Sequence, residues 1–221
     1  MISFESKYEL EQQLCNDITQ YLTAAIQENG NATLLLSGGS TPGGVYRLLA
    51  NAELDWNKVT VGLVDERFVG PESEFSNHLL IQNTLIQHKA QHTMFIPMVS
   101  DPLDYEKNEQ EIEDAYRIFT EPDVVLLGMG PDGHTASIFP NDLNSQLALQ
   151  ADTTRLIFNT NAPAHPTQRI TCSANLLCRS RHLLLMLTGE QKLAIFEQAE
   201  KLSLPIAAFK NHIEETYFTA S

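Results

Sequence analysis

Positive charge is what this chain of 221 residues has least of. Lys and Arg number 14 against 28 Asp and Glu, a formal net charge of −14. Such a surface repels phosphate backbones, so nucleic acid is excluded as an expected partner. A small anionic ligand stays compatible if the few cations gather at one pocket. Cysteine is scarce as well. Cys15, Cys172 and Cys178 are odd in number and lack zinc-ligand spacing, so packing in a reducing compartment is their expected role. No apolar run approaches the roughly 18 residues a membrane span requires. The opening MISFESKYELEQ has no cationic segment followed by an apolar run, so no signal peptide is expected. A soluble, cytoplasmic protein without membrane contact is the expectation. No Gly-Lys pair occurs, which excludes a Walker loop, and neither H-E-x-x-H nor G-x-S-x-G is present. His88 and His92 are four apart, but they flank Lys89 in a polar stretch without a nearby carboxylate. No metal and no organic cofactor are expected.

What is present is ordinary globular composition, 43% hydrophobic and 19% charged, without repeat, low-complexity segment or linker. One domain over residues 1–221 is the expectation. Between Glu5 and Glu28 apolar residues recur at three- and four-residue steps, which predicts an amphipathic helix stopped by Asn29-Gly30. Thr33 to Leu36 reads as a short buried strand. Val59 to Val64 reads as another, delivering Asp65, Glu66 and Arg67 at its end. Ser76-Asn77 starts a helix through Leu85. Tyr105 to Phe119 reads as an acidic amphipathic helix whose Glu residues form a solvated face. Arg155 to Phe158, Arg169 to Thr171 and Leu183 to Leu187 read as extended, with a short helix over Asn175 to Arg179. Gln191 to Lys201 reads as a helix, and Tyr217-Phe218 as an edge strand. Strands alternating with helices mean an α/β protein, a mostly parallel sheet with helices on both faces.

Three places along this alternation carry chemistry. The first is Ser37 to Pro42, SGGSTP, between a strand and a helix. Thr41 suits the N-cap and Pro42 the first turn. Gly38 and Gly39 let an anion approach backbone N–H groups, and Ser37, Ser40 and Thr41 add hydroxyls, so the loop reads as a phosphate cradle. The second is Asp65-Glu66-Arg67, where Arg67 can pair with a neighbouring carboxylate and present its planar fork to an oxyanion. The third is Val124 to Pro140, VVLLGMGPDGHTASIFP. A buried strand ends in a turn punctuated by Gly128, Gly130 and Gly133, with Asp132 and His134 at its tip and a short helix expected over Thr135 to Phe139. Ligands bind at the C-terminal edge of open α/β sheets. The same glycines match the dinucleotide fingerprint, but Pro140 leaves no room for the long helix which that fingerprint needs. Read alone, the stretch also fits a glycine turn with a capping Asp and a surface His. Lys192, near a helix N-terminus, opposes the helix dipole, which suggests a task other than stability. His165, beside prolines, reads as a surface residue.

With SGGSTP, DER, SN, GMGPDGHTASIFP, RIT and TGExK in this order, the chain resembles the 6-phosphogluconolactonases. The motifs run from Ser37 to Lys192. The resemblance implies a Rossmann-like three-layer α/β/α sandwich, shared with aminosugar-phosphate and pentose-phosphate isomerases. It also implies hydrolysis of 6-phospho-D-glucono-1,5-lactone to 6-phospho-D-gluconate in the oxidative pentose phosphate pathway. His134 is then the general base, with Asp132 placed to orient it and Arg67 to stabilise the oxyanion. The phosphate and sugar fall to Ser37, Gly38, Gly39, Ser40, Thr41, Asp65, Arg169 and Lys192, with the sequence leaving open which cation serves the phosphate and which the carbonyl. Glucosamine-6-phosphate deaminases share a similar phosphate loop and Asp-Gly-His, but carry a ring-opening Glu where this chain has Phe139. The lactonases commonly end in a Trp-Phe-x-Asp-like strand, where this chain has Tyr217-Phe218-Thr219-Ala220. A non-catalytic sugar-phosphate sensor would keep the phosphate loop without needing His134.

Overall fold

The computed structural model describes residues 1–221. Ten strands, β1 to β10, alternate along the chain with seven α-helices, α1 to α7. All five residues of β2 (Ala32–Leu36) are buried, and a strand buried on both faces needs parallel neighbours and a helix layer on each side. Its neighbours are β3 (Val59–Leu63) and β6 (Val124–Leu127). Beyond β3 lies β5 (Met94–Phe95). Beyond β6 lie β9 (His182–Thr188), β10 (Glu215–Thr219) and β1 (Ile2–Phe4). All seven strands run parallel. The fold is the expected α/β/α sandwich.

The long first helix is as its periodicity indicates. α1 (Lys7–Asn29) buries Leu10, Leu14, Ile18, Leu22 and Ala25 on one stripe, Ser6 caps its start, and Gly30 at φ 83° ends it. α2 (Gly43–Leu49) and α3 (Asn77–Thr84) follow β2 and the DER segment, the latter capped by Ser76. α4 (Tyr105–Ala115) gives way to a 3-10 turn over Tyr116–Phe119. α5 (Leu143–Ala148), α6 (Ala174–Cys178) and α7 (Glu190–Gln198) complete the set.

Several local expectations are corrected. Tyr217-Phe218 lies in β10, which is paired on both sides, because β1 adds a three-residue parallel strand outside it. Thr135 to Phe139 is no helix. Ala136 has a φ of 48° and Thr135 bridges Ile138, so the chain turns instead, and a dinucleotide site loses the helix that would seat its pyrophosphate. The glutamates of α4 are not all solvated. Glu113 accepts from the N–H groups of Leu156 and Ile157, and Glu109 from that of Asn159. These carboxylates cap the free edge of β7 (Ile157–Asn161).

That strand belongs to a second sheet, which the alternation of elements does not reveal. β4 (Asp65–Arg67), β8 (Gln168–Cys172) and β7 pair antiparallel, with Arg67 opposite Arg169 and Asp65 opposite Thr171. Val64 is the corner between the sheets. Its N–H donates to Leu36 in the large sheet, and its carbonyl accepts from Cys172 in the small one. The chain passes from β2 to β3 on one side of the large sheet and from β6 to β9 on the other. The order therefore reverses between β2 and β6, where open α/β sheets leave a crevice beyond their strand ends.

Candidate active site

A cavity of about 230 Å³ opens at that point. Its wall starts with Ser37, which welds the two strand ends. The Ser37 N–H and Oγ both donate to the Leu126 carbonyl, at 3.1 and 2.9 Å, and Oγ accepts from Gly128 N–H. The Ser37 hydroxyl proton is thus engaged, which makes Ser37 part of the wall and not a free donor. The Tyr46 hydroxyl, buried in α2, donates to the Ser37 carbonyl at 2.5 Å. Beyond Ser37, the backbone N–H groups of Gly38, Gly39, Ser40 and Thr41 have no acceptor within the chain. Gly39 holds φ 88°, and a side chain on Gly38 would overlap Asn77. Pro42, not Thr41, is the capping residue of α2, and it supplies no side-chain bond. The Thr41 hydroxyl is left to the cavity it lines.

The glycine turn after β6 forms the second wall. Gly130 N–H donates to the His134 carbonyl and Gly133, at φ 77°, donates back to Gly130. Thr135 Oγ1 ties the turn to the Gly128 carbonyl. A Cβ on Gly130 would stand 2.1 Å from the His134 ring, so this glycine is where the imidazole lies over bare backbone. His134 Nδ1 meets Asp132 Oδ1 at 2.5 Å. The hydrogen bond from His134 holds the Asp132 carboxyl below its usual range. A proton on Nδ1 satisfies that carboxylate and leaves Nε2 its lone pair. His134 lines the cavity and Asp132 stands behind it. Phe139, 6% exposed, packs against the imidazole with ring centroids 4.8 Å apart.

The cations complete the picture. Most of the 14 Lys and Arg are ion-paired; Arg47, Arg67, Arg169, Lys192 and Lys201 are not. Three of those five, Arg67, Arg169 and Lys192, line this one cavity. Burial, then the neighbouring Arg67, lowers the Arg169 pKa, and burial lowers that of Lys192. The Lys192 shift marks a charge held without a counter-ion, whereas the Asp65 and Glu66 carboxylates partly offset that of Arg169. Arg67 does not pair with Asp65 or Glu66. Its Nη1 donates to the Phe75 carbonyl at 2.6 Å. Asp65, 7% exposed, accepts from Ser137 Oγ at 2.6 Å and faces the cavity. Glu66 is 1% exposed and accepts from the N–H groups of Arg67, Asn77 and His78 and from Ser76 Oγ. Burial raises its pKa against those donors.

Ten of the eleven sequence-predicted site residues therefore border one cavity, and Asp132 touches one of the ten. Asn77 is expected from the sequence as a helix start and as part of the Ser-Asn motif, not as a site residue. Its amide donates to the Asp65 carbonyl and its side chain lies against Gly38. No group of three His, Cys, Asp or Glu side chains converges as metal ligands, and no helix is long and apolar enough to cross a membrane.

Residues 5–218 match the family described as glucosamine-6-phosphate isomerases/6-phosphogluconolactonase. A 6-phosphogluconolactonase of Rhizobium meliloti is 38% identical over 210 residues, covering 93% of this chain and 90% of its own. One of Neisseria meningitidis is 35% identical over 218 residues, covering 95% and 93%. The crystal structure of a 6-phosphogluconolactonase from Shewanella baltica superposes with a TM-score of 0.91 at 35% identity, over 99% of this chain and 96% of the other.

Proposed function

The chain belongs to the glucosamine-6-phosphate isomerase/6-phosphogluconolactonase family, and within it we propose the lactonase reaction, hydrolysis of 6-phospho-D-glucono-1,5-lactone to 6-phospho-D-gluconate in the oxidative pentose phosphate pathway. The observation that carries this is an imidazole, backed by a carboxylate, in a cavity that also collects three unpaired cations.

His134 Nε2 removes a proton from water as its oxygen attacks C1 of the lactone. Asp132 holds the ring and balances the imidazolium charge. The carbonyl oxygen takes up negative charge, stabilised by Arg67. The tetrahedral intermediate then expels the ring oxygen, which receives the proton from His134, leaving an open-chain acid. The substrate phosphate is held by the free N–H groups of Gly38 to Thr41, the hydroxyls of Ser40 and Thr41, and the cations Arg169 and Lys192. Asp65 accepts from a sugar hydroxyl. Phosphate and carbonyl share one small cavity, so each cation acts over a short range whichever end it faces. Deamination of an aminosugar phosphate needs a further proton carrier, and Phe139 supplies none.

The test is a direct assay with freshly prepared lactone, corrected for spontaneous hydrolysis, beside glucosamine 6-phosphate with ammonia and fructose 6-phosphate followed. Accelerated lactone opening without ammonia is expected. Sustained deamination above about 1 s⁻¹ would put the protein on the other branch of the fold.

A further inference from the structure

Arg67 and Arg169 stand directly opposite each other on antiparallel strands. Like charges in that register repel, and neither is neutralised by an ion pair. Instead each is held by a carbonyl of its own loop. Arg67 Nη1 donates to Phe75 O at 2.6 Å, in the connection from β4 to α3. Arg169 Nε donates to Pro166 O at 2.8 Å, in the connection from β7 to β8. The two loops are joined at their bases, where Phe68 N–H donates to Gln168 O. They meet again at their tips, where the Phe75 and His165 rings stand edge to face, centroids 6.0 Å apart at 83°. Phe75 is 40% exposed. His165, expected from its prolines to be a surface residue, is indeed exposed, yet it is the ring that Phe75 meets.

Resting on the proposed function, we propose that Phe75 and His165 form a strap that positions the Arg67–Arg169 pair for the anionic substrate. Neither ring touches the reacting atoms. Each acts through the carbonyl that its loop offers to an arginine, Phe75 through its own and His165 through the adjoining Pro166. Opening the strap frees both carbonyls, and the paired guanidinium groups separate under their own repulsion. The effect falls on affinity for the phosphate through Arg169 and on the oxyanion through Arg67, and leaves His134 and Asp132 unaltered.

The test compares His165→Ala, Phe75→Ala, the double variant and His165→Phe, reading KM and kcat for the phosphorylated lactone and Kd for inorganic phosphate by calorimetry. KM does not depend on how much enzyme is folded, so lost stability cannot imitate the effect. An edge-to-face contact of this kind corresponds to about a three- to tenfold change in affinity. Each alanine variant is expected to raise KM and Kd by that factor through Arg169 and to lower kcat as well through Arg67, the partner of the oxyanion. The double variant should be no worse than the weaker single one, because both break one contact. His165→Phe, which keeps an aromatic edge, should restore wild-type values. Unchanged KM and Kd in the single variants, multiplied losses in the double one, or failure of His165→Phe to restore would each overturn the strap. If the wild type binds phosphate with this variant pattern yet opens no lactone, the proposed function falls and the strap stands. If it opens lactone while KM and Kd ignore the variants, the strap alone falls.

Discussion

Gly130 decides where the His134 imidazole can lie. Its φ is not in the left-handed region, so its backbone accepts alanine, but the added Cβ would fall 2.1 Å from the ring. Gly130→Ala is therefore expected to leave thermal stability within a few degrees while lowering kcat about 10²-fold, the usual cost of an ångström of misplacement. Steady-state kinetics beside a thermal scan reads this, and kcat within a few-fold of wild type would contradict it. At this scale the sequence indicated which residues border the cavity and said less about what they touch. Asp132 and His134 were visible as a pair on a glycine turn, but their contact depends on turn geometry that spacing leaves open. The Ser37 hydroxyl looked free because its acceptor, Leu126, lies 89 residues away. Arg67 could have paired with either neighbour, but alternation in the strand points Glu66 to the opposite side, Asp65 is engaged by Ser137 Oγ, and Arg67 reaches the distant Phe75 carbonyl.

Elements with strong periodicity and end signals were legible, and those defined by distant partners were not. α1, α3 and β9 follow from apolar spacing, Ser caps and a run of leucines. β4 is three residues long and finds its partner only at Gln168–Cys172, while β1 is three residues pairing with the last strand. No local pattern announces either. The same limitation hid the purpose of the α4 glutamates, which four-residue spacing places over one strand edge. Removing one shows how much that edge depends on it. Glu113→Ala leaves the N–H groups of Leu156 and Ile157 without their acceptor and is expected to cost about 1–3 kcal/mol in urea denaturation. Glu106→Ala, exposed on the same helix, should cost less; equal losses would make Glu113 an ordinary surface residue.

Across the whole molecule, three of the five cations that carry no ion pair gather at the crevice where the strand order reverses, against a net charge of −14. Burial lowers the Lys192 pKa in the folded chain below its unfolded value. In the window between the two values the unfolded chain binds more protons, so this group's effect on stability improves as pH rises through it. Below the window its desolvated charge costs stability in full. Lys192→Met is accordingly expected to raise Tm at neutral pH without ligand, and to shrink the Tm gain given by added phosphate. Lys192→Ala and Arg169→Ala should raise KM for the phosphorylated lactone about tenfold or more, the loss of a charge-assisted hydrogen bond, and change unphosphorylated gluconolactone much less. Equal losses on both substrates would mean that these cations do not read the phosphate. The central claim is that His134 activates the water that opens the lactone, and its most direct measurement is the initial rate of 6-phosphogluconolactone hydrolysis by wild type and His134→Ala at equal concentration, with the spontaneous rate subtracted. The account predicts a wild-type rate well above buffer and a kcat about 10²–10⁴-fold lower in the folded variant; a variant within a few-fold of wild type, or a wild type no faster than buffer, would contradict it.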